Sequence, residues 1–562
     1  MIEFVSISVY KRPALWQIDG AVLLGVPMTA LLLLLSQAFA APSVDARATH
    51  DALLQLWKDL RAESETRMVC FTPLVRALQE NWGLFTPEEQ AAFTAHLAPF
   101  TTDLTDGLAP AGDAPPPPAS GEPCFIYDDN PYETLDDPKG RFQVQWEPDA
   151  IDEDTAQDLL DALTYSYETE IDELGWREPD GMSRYPMMIY VYEDNRTAAA
   201  YTTVGRCSGV GYMPYIVIAS GSFYGGSWYE DMVAHEFVHA SQYAYTDDAG
   251  SYNYNVDLWW WEATATWAQE YVYPDNNWWS QYISGYTDAT YLAMQVSNQS
   301  DNTKFWHMYG MALWAFYLDQ HWGGHDMVQD TWEYAAEHWN TAQNVDDWTE
   351  GVGVDFDEAY QDFIVTNVVM DYDPSRYFGN VKVSATVSEL PDSGESSSTK
   401  APQGYGQNYL KIKSDAAEAG TDAVVHVDGE NDNTWLALLV TVDGNDIEDV
   451  QTFDLDDTNQ GDLDIRFDGD KEFWIVLSPM DNKSSGRSYT WSVTVDESAV
   501  VTDGEDDTAD EVPDLPEGQD GDDAFNPEKA DEGTGCGCAT GTSGSSVGLA
   551  LGLAALMLRR RR

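Results

Sequence analysis

His235 and His239 stand four residues apart and bracket Glu236 in the run Ser227–Ala240, which reads Ser-Trp-Tyr-Glu-Asp-Met-Val-Ala-His-Glu-Phe-Val-His-Ala. On a helix, positions i and i+4 lie one above the other, so two imidazoles can meet one metal ion from a single rigid face. Glu236, beside them, is placed to take a proton from a water held by that ion. Val233, Phe237, Ala240 and Ala244 follow at spacings of four, three and four and can bury the opposite face. The competing reading is a chance juxtaposition on a helix, in a chain with nine His among 562 residues.

A metal site that does chemistry needs three protein ligands and one open position. The segment Leu258–Glu270, Leu-Trp-Trp-Trp-Glu-Ala-Thr-Ala-Thr-Trp-Ala-Gln-Glu, carries Glu262 in a strongly apolar setting, 23 residues after His239. An ionised carboxylate among Trp259, Trp260, Trp261 and Trp267 is costly to bury unless a cation meets it. The alternatives are a solvent-facing Glu262, or Asp257 or Glu270 as the ligand. Metzincins place Gly at 242 and His at 245, and Gln242 and Tyr245 exclude that class.

On His235, Glu236, His239 and the Trp-Glu-Ala-Thr-Ala-Thr-Trp segment, the chain resembles the gluzincin metallopeptidases, the group of thermolysin-like and aminopeptidase N-like enzymes. The resemblance implies a Zn2+ held by His235, His239 and Glu262, with Glu236 as general base. It implies a protein or peptide substrate whose scissile carbonyl the zinc polarises. Two departures leave the subfamily and the supporting residues open: no Asn precedes Glu262, and Thr266 stands where thermolysin-like enzymes have an Asp supporting the first His.

The elements that must position these residues follow from hydrophobic period. Arg141–Trp146, Met187–Tyr192 and Tyr215–Ala219 read as strands and Thr155–Leu174 as an amphipathic helix. This order matches the first half of a zincin catalytic domain. In that family the last strand before the helix is a sheet edge to which a peptide adds, so 214–220 is the expected substrate shelf; an ordinary internal strand is the alternative. Phe305–Leu318, Val328–His338 and Phe356–Val369 then read as a helical lower subdomain. Tyr309 and His307 are candidate oxyanion stabilisers, with His321 and His325 behind them, and each reads equally as a packing or surface residue. The Trp and Tyr wealth reads as core, with a specificity pocket or a carbohydrate platform as the sharper alternative.

The expected fold is multidomain α+β: a zincin-like metallopeptidase domain over 124–378, with a mixed sheet, the active-site helix and the helical lower subdomain, followed by a β-sandwich over 379–498. Strands at Tyr409–Ile412, Ala423–Val427, Trp435–Val442, Phe473–Leu477 and Tyr489–Val495, separated by Asp, Asn and Gly turns, carry the second assignment. The sandwich is similar in pattern to small domains behind the catalytic unit of bacterial secreted peptidases. Acidic turns at Asp428–Asn433 and Asp454–Asp464 offer hard oxygen ligands for Ca2+, or are merely solvated.

The flanks speak of export. Lys11 and Arg12, the apolar run Ala21–Leu35 and Ala38-Phe39-Ala40 form a signal peptide over 1–40, with an uncleaved anchor as the alternative. Residues 41–110 are helical, with a helix start at Thr86-Pro87-Glu88-Glu89, and read as a propeptide or accessory domain; a Pro-rich linker fills 111–123. An acidic disordered linker covers 499–534. Gly535-Cys536-Gly537-Cys538, the run Val547–Leu558 and Arg559–Arg562 resemble the MYXO-CTERM sorting tail of myxobacterial surface proteins. That tail implies processing at Cys536 and Cys538 by export and sorting machinery, and a cell-surface (outer membrane-attached) or extracellular product that meets membrane only through its two ends.

Lys and Arg number 28 against 97 Asp and Glu, a formal charge of −69, which argues against nucleic acid as a partner. Of the five Cys, Cys70, Cys124 and Cys207 lie before the tail, and Cys70 with Cys124 is the expected disulfide. A thiolate from Cys70 or Cys124 capping the zinc in a latent form is a further reading, with no spacing to support it. The chain is expected to be a zinc metallopeptidase. The alternatives are a catalytically inactive surface binding or adhesion protein that retains the zincin fold, or a glycan-binding or glycan-cleaving protein.

Overall fold

The computed structural model describes residues 44–65, 69–97, 124, 132–207, 209–246, 258–297, 301–338, 344–373 and 377–496. The expected signal peptide, Pro-rich linker, acidic linker and Cys536/Cys538 tail lie outside the described residues. The first helices are α1 (Val44–Ser64), α2 (Thr72–Glu80) and α3 (Pro87–Leu97), with a two-residue strand β1 (Val69–Cys70) between α1 and α2. A reciprocal cap opens α3: Thr86 N donates to Glu89 Oε2 at 2.8 Å and Glu89 N to Thr86 Oγ1 at 3.3 Å.

The chain then lays down β2 (Glu133–Asp136), β3 (Phe142–Trp146), α4 (Glu153–Tyr167) running into a π-helical turn (Glu168–Glu173), β4 (Met187–Tyr192), β5 (Ala199–Cys207) and β6 (Gly211–Ala219). These strands form one sheet in the order β1-β5-β6-β4-β3-β2. It is mixed: β1–β5, β4–β6 and β3–β4 are parallel, whereas β5–β6 and β2–β3 are antiparallel. The expectation that 214–220 is an open shelf is therefore corrected. β6 is internal, with Ile216 opposite Ile189 of β4 and Thr202 of β5, and the edge beyond it belongs to β5 and β1. Strand β5, Ala-Ala-Tyr-Thr-Thr-Val-Gly-Arg-Cys, mixes small and polar residues without alternation, so its period does not mark it as a strand.

The expected pairing of Cys70 with Cys124 is also wrong. Cys124 is bonded to Cys207 at the end of β5, with their Cα atoms 5.7 Å apart, while Cys70 is a buried free thiol on β1.

Helices follow: α5 (Trp228–Tyr243), α6 (Leu258–Val272), α7 (Ser280–Thr287), α8 (Asn302–Gly310), α9 (Ala312–Leu318), α10 (His325–His338), α11 (Val345–Gly351) and α12 (Phe356–Val369). α5 is the pivot. Val233, Phe237 and Ala240 join the core beneath the sheet, with the Phe237 ring 5.7 Å from that of Phe142, and Val238 joins the aromatic core of the other helices. Close approach of α7 and α8 needs glycine: a Cβ on Gly285 would sit 2.0 Å from Trp306 O, and one on Gly310 2.3 Å from Tyr286 N.

The C-terminal region is β-rich, with β7 (Val383–Val387), β8 (Asp392–Glu395), β9 (Asn408–Ile412), β10 (Asp422–Gly429), β11 (Trp435–Asp443), β12 (Asp446–Thr452), β13 (Gln460–Arg466), β14 (Glu472–Pro479) and β15 (Tyr489–Val495). They form sheets ordered β13-β10-β15-β8 and β12-β11-β14-β9-β7. Alternation along β11 sends Ala437 and Leu439 into the core shared with β10 and β15, and Leu438, Val440 and Val442 into the helical core. Polar contacts seal that second junction, Tyr360 Oη to Ser478 Oγ at 2.8 Å and Tyr409 Oη to Ile364 O at 3.0 Å. The whole is multidomain α+β. No helix among the described residues is long and apolar enough to cross a membrane.

Candidate metal centre

Glu230 in the first turn of α5 complements its positive end, and the helix carries His235, Glu236 and His239 one turn further into the protein. Tight packing of α5 on α6 brings Glu262 to the same point. His235 Nε2 lies 3.2 Å and His239 Nε2 3.5 Å from Glu262 Oε2, and the imidazoles stand perpendicular with centroids 4.7 Å apart. A fourth group joins them: Cys70 Sγ is 3.8 Å from His239 Nε2. One ligand atom from each of Cys70, His235, His239 and Glu262 lies within 4.8 Å of the other three, and all four residues are buried.

The donor set of one sulfur, two imidazole nitrogens and one carboxylate oxygen is one that suits zinc. The electrostatics point the same way. Burial, the largest influence on Glu262, opposes ionisation, yet His239 and His235 hold its carboxyl below the ordinary range. Burial works against a charged His239 too, and Glu262 outweighs it, so its pKa is raised. Burial and then Glu236 and Glu262 push the Cys70 thiol up. Glu262 Oε1 has no hydrogen-bond partner. A buried carboxylate that leans on imidazoles and leaves an oxygen idle has the chemistry to accept a cation.

Glu236 is buried beside this group. Its Oε2 accepts from Thr202 Oγ1 of β5 at 2.7 Å and from Thr72 Oγ1 of α2 at 3.1 Å, while Oε1 has no partner. His239 is steered from behind, where Nδ1 donates to Gln242 Oε1 at 2.7 Å. The amide of Gln242 in turn donates to Trp261 O and Thr264 Oγ1, both at 3.0 Å. Of the two cysteines that sequence reasoning offered as a cap on the metal, the structure brings Cys70 to the site and not Cys124, while Thr72, Thr202 and Gln242 were missed as parts of it. Only Gln242, one turn beyond His239 on the same helix, left a signal that could have been used. Thr266, at the position where the resemblance leads one to expect a supporting Asp, has a buried hydroxyl with no partner.

Tyr309 reaches the site: its ring stacks on His235 at 5.9 Å and its hydroxyl donates to Cys70 O at 3.4 Å. Burial, then Cys70 and Glu262, raise its pKa well above the ordinary phenol value, so it remains a proton donor. His307 is not in the convergent group. It is buried with both ring nitrogens unpartnered, 6.0 Å from the Tyr286 ring, and burial lowers its pKa to about 3. His321 stacks on Tyr317 and His325 pairs with Asp326. Of the other candidate ligands, Glu270 accepts from Trp279 Nε1 at 2.8 Å, and Asp257 lies outside the described residues. No second group of three or more His, Cys, Asp or Glu side chains converges among the described residues. In the acidic turns, Asp456 Oδ1 is taken by its own loop, accepting from Thr458 N and Gln460 N.

A small cavity opens beside the centre, lined by Trp228, Asp231, Met232, Trp278 and Tyr282. Asp231 Oδ2 accepts from Trp278 N at 3.0 Å, Oδ1 has no partner, and burial pushes the carboxyl pKa up to about 7.

No curated protein matches the chain. Among solved structures, the pre-peptidase C-terminal domain of collagenase from Bacillus anthracis is 12% identical, with 21% of this chain and 100% of that one covered at a TM-score of 0.17. A GH115 4-O-methyl-α-glucuronidase is 10% identical over 57% of this chain and 54% of its own, at 0.12. The IMPa metallopeptidase from Pseudomonas aeruginosa is 8% identical over 63% and 46%, at 0.10. The chain thus spans about half the length of the latter two, and likenesses this slight carry no inference about the fold. Residues 143–449, more than half of the chain and including His235, Glu236, His239 and Glu262, match a family of unknown function, DUF6055. The chain belongs to the DUF6055 family.

Proposed function

We propose that this protein is an exported, zinc-dependent peptidase with a zincin-like catalytic domain of the gluzincin type. The observation that carries the proposal is the buried convergence of His235, His239 and Glu262 next to a Glu236 whose Oε1 has no protein partner. His235, His239 and Glu262 would hold the ion. When bound, zinc supplies Lewis acidity toward a peptide carbonyl and toward water.

The remaining steps belong to the chain's own groups. Glu236 Oε1 takes a proton from the attacking water and returns it to the leaving amine. Thr202 holds the other carboxylate oxygen and fixes the direction in which Oε1 points. Tyr309, a buried phenol at the site, is the donor available to a developing oxyanion. Export and surface attachment, implied by the two ends of the sequence, belong to the same proposal.

A second reading rests on Cys70. Four protein ligands make a closed centre, as structural zinc sites are, and this would suit a surface binding or adhesion protein. Glu236 favours the peptidase, because a structural centre has no use for a buried carboxylate with an idle oxygen.

The test is zinc content and casein cleavage by the full chain and its Cys70→Ser variant, each with and without Glu236→Gln. Zinc retained and cleavage abolished by Glu236→Gln is the expected result; equal cleavage with and without Glu236 would rule the mechanism out.

A further inference from the structure

Residues 70–72 touch each place where a peptidase of this kind would act. Cys70 Sγ completes the group with His235, His239 and Glu262, 3.8 Å from His239 Nε2. The carbonyl of Cys70 receives the Tyr309 hydroxyl at 3.4 Å, and Thr72 Oγ1 donates to Glu236 Oε2 at 3.1 Å. The segment is held as an added strand: Val69 N donates to Ala198 O at 3.0 Å, Phe71 N to Ala200 O at 2.7 Å, and Thr202 N to Thr72 Oγ1 at 2.8 Å. Thr72 N also donates to Cys70 Sγ at 3.4 Å, which fixes the sulfur's position against the main chain.

Resting on the peptidase reading above, we propose that residues 69–72 are an internal strap that lies where an extended substrate would lie and keeps the centre latent, with Cys70 as a removable fourth ligand to zinc. A structural centre would need the sulfur alone. It would not need the same three residues to engage the base and the phenol as well.

The covalent layout agrees. The disulfide joins Cys124 to Cys207, on the catalytic side, and among the described residues no disulfide ties 44–97 to the rest. The strap is thus retained by main-chain hydrogen bonds and helix packing, to which Cys70 would add a bond to a bound metal. Displacing it would let Cys70 take a proton from solvent and leave Glu236 and Tyr309 free to meet a substrate.

The experiment uses the full chain loaded with cobalt(II) for spectroscopy and with zinc for turnover. The wild type should show a thiolate-to-cobalt charge-transfer absorption that Cys70→Ser and Cys70→Ala both lose while the ligand-field bands persist. Alkylation of Cys70, mapped by mass spectrometry, should be blocked in loaded protein and proceed after chelation. Casein turnover should rise by up to about tenfold in both variants at unchanged zinc content, the change released by a strap closed in about nine molecules of ten.

A charge-transfer band with no gain of turnover in either folded variant would make the centre structural and overturn the strap. Zinc bound with no thiolate band in the wild type would remove Cys70 from the metal and overturn it too, leaving the His-His-Glu site standing. Absence of metal from wild type and variants alike would overturn the site itself, and the strap with it.

Discussion

The side-chain oxygen of Gln242 accepts the Nδ1 proton of His239 at 2.7 Å, and so fixes which imidazole nitrogen faces Glu262. Gln242 is itself held by Trp261 O and Thr264 Oγ1, so the helix that carries Glu262 also orients His239. Partners of this kind typically change metal affinity by about 10–100-fold when lost. Gln242→Leu should therefore weaken zinc binding by that order without unfolding the protein. Competition against a chromophoric chelator measures it, and an unchanged affinity would show that the imidazole needs no such support.

A pH-dependent stability difference should trace to Asp231. Burial lifts its carboxyl to about 7, so the folded protein keeps a proton that the unfolded chain releases near the ordinary carboxylate value, about 4. Between those limits the folded state binds more protons, so stability falls as pH rises and the loss is complete above 7. Three units of pH correspond to about 4 kcal/mol. Asp231→Asn should thus differ little from wild type at pH 4 and be more stable at pH 8, by up to about that amount. Thermal unfolding in chelator, which removes metal loss from the comparison, reads the difference; an equal gain at both pH values would mean that the carboxyl ionises normally in the fold.

Removing the Cys124–Cys207 bond, which closes a sequence separation of 83 residues, should lower stability by about 2–5 kcal/mol and leave zinc content unchanged. Denaturant unfolding of the Cys124→Ser/Cys207→Ser protein measures the first, and elemental analysis the second. Peptide mapping without reductant should recover Cys124 joined to Cys207 and Cys70 alone. A Cys70–Cys124 peptide would contradict both the disulfide and the strap.

What the sequence made legible was whatever has a period or a fixed offset. The His235–His239 spacing, the apolar face at Val233, Phe237 and Ala240, and strand Met187–Tyr192 are local patterns, and the structure places each on its element. Glu262 could be reached because a carboxyl among tryptophans asks for a cation. Cys70 could be named only as one of two candidate caps and not placed: a two-residue strand has no period, and its partner on β5 lies 130 residues further along. An odd number of cysteines says that one is left over and is silent on which. The shelf at 214–220 failed for a related reason, since a strand rich in Ala and Thr, hidden on both faces, gives no alternation to detect, and its insertion turned an edge into an interior.

Strands β11 and β14 are covered on both faces, because Leu438, Val440, Trp474 and Val476 turn toward the helices while Ala437, Leu439, Ile475 and Leu477 turn toward the opposing sheet. It is a party wall. A chain cut between α12 and β7 would bare the helix-facing side of that wall on one fragment and the helical core it covers on the other, so neither half is a module that can be lent to another protein or expressed alone without a substitute neighbour. Melting should accordingly register as a single event across residues 132–496.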